Sequence, residues 1–156
     1  MSSMADAFYN DEQKELQATV KKLVDTEINP HGDEWEKQKS FPAHQVFKKF
    51  GQAGLLGINK PTEYGGQGLD YKYQLAFGEA IGHVRPTGVA MALGVQVDMS
   101  TPALAKFGSD QLRRDFLAPA IAGDAVTSVA VSEPGGGSDV AACKTNAVRK
   151  GTLRTL

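Results

Sequence analysis

The residues from Ala125 to Asp139, AVTSVAVSEPGGGSD, constrain this chain more than any others. Before Gly123, apolar residues recur at helical spacing. In Ala125–Val131, small and β-branched residues alternate without that spacing, which predicts a strand. Pro134 and the three glycines that follow continue neither a helix nor a strand, so the strand must run into an open loop. The resulting fold class is mainly α, with a helical N-terminal domain over residues 1–123 and an incomplete β segment over residues 124–156.

The helical part is punctuated throughout. Asn10 or Asp11 caps a helix whose apolar positions Leu16, Val20, Leu23, Val24 and Ile28 share one face, and Pro30 stops it. A second helix starts near Pro42, turns Val46, Phe47, Phe50 and Ala53 inward, and ends around Gly54. Pro61–Asp70, PTEYGGQGLD, is a loop, and helix resumes through Leu75–Ile81 until Arg85-Pro86. Gly88–Leu104 is apolar on most faces and predicts a buried helix, with Gly108 as its stop. Ser109 caps a further helix with Leu112, Phe116 and Leu117 inward, closed by Pro119 and Gly123. After the glycine run, Lys144–Arg149 predicts a second strand, Lys150-Gly151 a turn, and Thr152–Leu156 the start of a returning strand.

Composition excludes several classes of function. Seventeen basic and eighteen acidic residues give a net charge of −1, with no basic stripe to neutralise a phosphate backbone, which argues against nucleic acid. The single cysteine, Cys143, rules out an intramolecular disulfide and a thiolate cluster. His31, His44 and His83 lack metal-ligand spacing and belong at helix ends or surfaces, while Trp35 and Cys143 are read as packing residues. No apolar run reaches the roughly 18 residues of a membrane span. The first residues, MSSMADAFYNDEQKEL, carry neither a secretory apolar core nor an Arg-rich transit pattern, so an intracellular chain without a targeting peptide is expected.

The chemistry concentrates in SEPGGGSD. Glycines let backbone approach a diphosphate and expose successive N–H donors, and Ser132 and Ser138 add hydroxyls. A glycine run alone is as readily a surface turn. No GK[ST] follows it, and it is not a GxGxxG fingerprint. Three separated motifs carry more. SEPGGGSDVAACKTNAVRKG, AGLLGINKPTEYGGQGLD and KFGSDQLRRDFLAPAIAGD stand in the order in which similar segments occur in the acyl-CoA dehydrogenase family, which this chain resembles over nearly its whole length.

That resemblance implies an N-terminal helical bundle of the acyl-CoA dehydrogenase type leading into a middle β domain, with FAD between that domain and a C-terminal helical bundle. It implies α,β-dehydrogenation of an acyl-CoA thioester, in which a carboxylate takes the α proton and the β hydride goes to the flavin. Electrons pass on to an electron-transfer flavoprotein. Residue by residue, Val129, Ala130 and Val131 would offer backbone to the flavin, Ser132 would face its pyrimidine edge, and Gly137 and Ser138 would sit at the diphosphate, Ser138 also towards the CoA. Met91 and Val95, with Met99, would border the acyl pocket, or else are core. Glu133, by its place beside Pro134, suits a loop-fixing role, and the resemblance puts the family's base in the C-terminal part. Asp98, a carboxylate in an apolar segment, should face a gap or solvent, and Glu79 should be exposed or partnered.

The chain ends at GTLRTL, where family members continue. The expectation is therefore a chain without the catalytic carboxylate and inactive alone, oligomeric only if a C-terminal bundle is present. Its alternative is a non-catalytic acyl-CoA-binding or interaction module.

Overall fold

Asn10 opens the first helix with a reciprocal cap. Its side chain accepts the Gln13 N–H at 2.8 Å, and its own N–H donates to Gln13 Oε1 at 3.1 Å. The computed structural model describes residues 8–146, 148–150 and 153–155. Helix α1, Asp11–Leu23, continues into a π-turn at Val24–Ile28 and a 3₁₀ turn at Asn29–His31. Val20, Val24 and Ile28 are buried, as their spacing predicts. Pro30 redirects the chain without ending helical structure, because it sits within the first turn of the 3₁₀ segment, where its missing N–H costs nothing. A short helix the sequence reading did not contain, α2 (Gly32–Gln38), follows and ends at Lys39 in the left-handed conformation (φ 53°).

Helix α3 spans Ala43–Gln52 and buries Val46, Phe47 and Phe50. Ala53, expected inward, is exposed, because the helix ends one residue before it. The 61–70 loop forms as predicted and contains a 3₁₀ turn at Thr62–Tyr64. Its last residue, Asp70, caps α4 (Tyr71–Ile81) by accepting the Lys72 N–H at 2.8 Å. Helix α1 packs along α4, and the core between them and α3 is centred on Phe47, Phe50, Phe77, Ile28, Leu56 and Ile58.

The apolar segment is a continuous helical stretch made of α5 (Thr87–Gly94), a π-turn (Val95–Ser100) and α6 (Thr101–Phe107). It is not buried all round. Val89, Leu93, Gln96, Val97 and Thr101 face the core, whereas Met91 is 65% and Met99 55% exposed. Helix α7 (Asp110–Leu112), capped by Ser109, passes through a π-turn at Arg113–Leu117 into α8 (Ala118–Ile121). Leu117 is buried, but Leu112 and Phe116 are exposed, contrary to expectation. The π-turn spends an extra residue per turn, which shifts the phase on which the 3.6-residue projection relied.

Beyond Gly123 the strand expected at Ala125–Val131 does not form, and the segment has no ladder partner among the described residues. An isolated bridge between Glu133 and Gly136 follows it. The second expected strand, Lys144–Arg149, is confined to β1 (Val148–Lys150), which pairs antiparallel with β2 (Leu153–Thr155), Lys150 opposite Leu153. The returning strand is thus present, and Lys150 of the expected turn ends β1, while Gly151 of that turn and Thr152 of the returning strand lie outside the described residues, as do residues 1–7 of the N-terminal reading.

Trp35 packs against His31 and Phe41, with ring centroids 5.4 and 6.0 Å away. Cys143 is exposed and is not the packing residue expected of it. The three histidines lie at the surface. Among the described residues no helix is long and apolar enough to cross a membrane, and no group of metal-ligating side chains forms.

Candidate functional site

Two neighbouring structures hold the residues singled out in the sequence, the α5 π-turn and the segment from Ala125 to Thr145. Gln96 joins them. It is fully buried in the π-turn, and both ends of its side-chain amide are used. Nε2 donates to the carbonyls of Ala120 (3.0 Å) and Ala125 (2.9 Å), and Oε1 accepts the N–H and hydroxyl of Thr127. Ser100 also contacts the Thr127 hydroxyl. The segment therefore leaves the helical body at a fixed place, although no strand accompanies it among the described residues.

The loop beyond it is closed by Glu133. The Glu133 and Gly136 backbones exchange hydrogen bonds of 2.8 and 3.1 Å across Pro134-Gly135. The Glu133 carboxylate accepts the N–H of Lys144 at 2.9 Å and of Thr145 at 2.6 Å. These bonds, the Thr145 side chain first and then the two N–H groups, hold its carboxyl below the usual carboxylate range. Such a carboxylate is a poor proton acceptor and a good loop staple, the role expected of it. The Cys143 thiol adds a weak contact to the Val131 carbonyl at 3.7 Å.

Inside this staple the predicted residues stand open. Val129, Ala130, Val131, Ser132 and Ser138 are exposed, and Gly137 is half-buried. A Cβ built on Gly137 would lie 3.6 Å from Ser132 Oγ, so the two meet, whereas one on Gly135 or Gly136 would point into empty space. The backbone N–H groups of Gly135, Gly137 and Ser138 have no backbone partner among the described residues. Exposed N–H groups and hydroxyls around bare glycines fit an approaching diphosphate. Val129 and Val131, 42% and 41% exposed, leave apolar surface beside the loop.

Met91 and Val95 lie on the other structure. Met91 and Met99 project outward and Val95 is half-buried between them, so the stripe is not core. A cleft of about 460 Å³ lies elsewhere, between Trp35, Phe41 and Pro86–Val89.

Sequence reasoning missed the polar residues that hold this arrangement. Lys60 is 3% exposed, and its ammonium donates to the Val97 carbonyl at 2.9 Å and to Asn59 Oδ1 at 2.6 Å. Burial pushes its pKa down, opposed by Asp98. Asp98 faces outward as expected, and partial burial pushes its carboxyl up, opposed by Lys60 and Gln74. The lysine sits in the KPTEYGG loop, where the sequence offers only a charge beside a proline. Gln96 likewise gives no signal beyond a polar residue in an apolar run.

Comparison with known proteins places the fold in a family. The family model described as acyl-CoA dehydrogenase, N-terminal domain, matches residues 10–124. The chain is 38% identical over 133 residues to the mitochondrial short-chain specific acyl-CoA dehydrogenase of Bos taurus, a match covering 85% of this chain and 32% of that protein. The structure of an acyl-CoA dehydrogenase from Bacillus anthracis complexed with FAD is 29% identical with a TM-score of 0.80, over 89% of this chain and 24% of that one. A chain in the structure of the electron transferring flavoprotein of Acidaminococcus fermentans is 27% identical with a TM-score of 0.83, over 94% and 38%. The chain thus spans about a third of the length of the curated relatives it matches. It belongs to the acyl-CoA dehydrogenase family, and residues 10–124 carry that family's N-terminal domain.

Proposed function

We propose that this chain supplies the helical platform and one flavin-facing loop of an FAD-dependent acyl-CoA dehydrogenase, with residues 1–123 as the helical domain and 124–156 as the beginning of a β domain. The observation that carries the reading is the stapled, glycine-lined loop with Ser132 and Ser138 exposed on it. In this reading the backbone of Val129–Val131 and the hydroxyl of Ser132 meet the flavin, Gly137 and Ser138 meet the diphosphate, and Ser138 also meets the CoA. An FAD held there would supply the acceptor for the hydride leaving the β carbon of an acyl-CoA. Donors at Ser132 would stabilise charge on the ring's pyrimidine edge. Met91 and Val95 would touch the acyl hydrocarbon, and an electron-transfer flavoprotein would take the electrons.

The reading assigns this chain binding and not proton abstraction, since Glu133 is engaged by the loop backbone. It therefore assigns no turnover to the chain alone. The test is titration of the purified chain with FAD, read by flavin fluorescence, beside Ser132→Ala and Ser138→Ala. Weakened binding in both variants supports the assignments. Equal binding in all three removes the serines from the site, and no binding by the parent chain removes FAD from this chain's function.

A second reading, an acyl-CoA-binding or interaction module without flavin, is favoured by the core, which is assembled from Val20 to Val97 without help from the loop. Calorimetry with acyl-CoA in the absence of FAD, and a pull-down against a full-length relative, separate it from the first.

A further inference from the structure

The π-turn at Val95–Ser100 alters what α5 presents. In an uninterrupted α-helix, positions 91 and 99 are eight residues apart and drift about 80° around the axis. A π-turn spends an extra residue per turn and rotates the downstream positions back. The result is visible in the exposures: Met91 and Met99 both project outward, with Val95 half-buried between them.

Such a turn leaves backbone carbonyls poorly served, and this one is furnished with donors. Ser100 Oγ bonds the Val95 carbonyl at 3.0 Å, and Thr101 Oγ1 the Gln96 carbonyl at 2.6 Å, each reaching back five residues. The Lys60 ammonium comes from outside the helix to the Val97 carbonyl at 2.9 Å. Lys60 itself is locked. Its N–H donates to the Gly57 carbonyl at 3.1 Å, its carbonyl accepts the Gly68 N–H at 3.0 Å, and Gly66 leaves no room for a side chain above that carbonyl. Burying a lysine is unfavourable unless its donors are used, and here a helix backbone and Asn59 use them.

We propose that Lys60 is a positioning residue whose ammonium holds the π-turn and so aligns Met91, Val95 and Met99 into one apolar contact stripe, through which the 57–68 loop selects among saturated acyl chains of an acyl thioester. The acyl part rests on the functional reading above; the control of the turn does not.

The experiment compares structures and amide exchange of the full chain with those of Lys60→Met and of the double variant Ser100→Ala/Thr101→Val. In Lys60→Met the bonds spanning five residues across 95–100 give way to ordinary helical ones. Met99 turns away from Met91, and amide exchange over residues 96–101 rises at least about tenfold while unfolding stays cooperative. Lys60→Arg, which keeps a donor, restores the parent pattern. Should Lys60→Met fail to fold, Lys60→Gln, shorter and neutral, reads the same change. An unaltered π-turn with unaltered exchange in the lysine variants overturns the proposal. Acyl-CoAs of increasing chain length are then titrated by calorimetry. Affinity that climbs with length in the parent, and climbs several-fold less in Lys60→Met, supports the selecting role. A changed turn with no length dependence in either protein overturns the acyl reading of the stripe and leaves Lys60's control of the turn standing.

Discussion

The side-chain oxygen of Gln96 accepts both the backbone N–H of Thr127, at 2.8 Å, and its hydroxyl, at 2.7 Å. With the two carbonyls its nitrogen serves, this amide is the hinge pin between a helical body and a segment that has no strand partner among the described residues. Gln96→Leu preserves the volume but strands the Ala125 carbonyl and the Thr127 N–H, while the Ala120 carbonyl keeps the Gly123 N–H at 3.3 Å. Each buried group left unpaired costs about 1–3 kcal/mol, so urea unfolding should show a loss on the order of 3 kcal/mol. Gln96→Glu keeps the acceptor and removes both donors. It should be destabilised as well, with faster amide exchange over residues 125–131.

Glu133 makes the loop pH-dependent. Its folded carboxyl lies below the ordinary range, so the unfolded chain takes up the proton first as pH falls. Its contribution is therefore present in full above the unfolded value, about pH 4.3, and is lost as pH falls through the lower folded value. Amide exchange at Lys144 and Thr145, measured at constant intrinsic rate, should lose protection in that acid window. Glu133→Gln should remove the pH dependence and leave those amides weakly protected at neutral pH.

Two glycines should respond oppositely to alanine. At Gly123, with φ of 75°, a Cβ would lie 2.2 Å from the Phe47 carbonyl oxygen, a backbone atom that cannot step aside. Gly123→Ala should cost at least about 1–3 kcal/mol in thermal or urea unfolding. Gly78, in α4, has nothing within 4 Å of a built Cβ. Gly78→Ala should stabilise by about 0.5–1 kcal/mol through helix propensity.

The ion pair between Lys49 and Glu27 joins α3 to the first π-turn, with side chains 48% and 31% exposed. Solvent screens such a pair, so Lys49→Met should change stability by less than about 1 kcal/mol. Phe47→Ala, two residues earlier at a fully buried site, should cost about 3–5 kcal/mol.

These residues also show what the sequence makes legible. The helical periodicity of Val20, Val24 and Ile28, and of Val46, Phe47 and Phe50, was readable because one face of a regular helix repeats every 3.6 residues, and the structure buries all six. Periodicity failed at Leu112 and Phe116, where a π-turn breaks that repeat, and at Ala53, which follows the helix end. The Gly-rich loop and its glutamate staple were legible from residue types alone. The strand before it was not, because a strand needs a neighbour and the pattern of one segment says nothing about who that neighbour is. Lys60, Gln96 and Thr127 were invisible for a related reason. Each is an ordinary polar residue until the fold brings a distant carbonyl or amide within 3 Å of it.

The order of these parts along the chain bears on how the protein is made. The main core cluster is complete at Val97, and Leu117, Ala120 and Ile121 are buried soon afterwards. In the order of synthesis, every one of those side chains is added before Ser132. Vectorial synthesis thus presents the helical body ahead of the 125–131 segment, and the Gln96 amide is fully seated only when Ala125 and Thr127 follow and meet it.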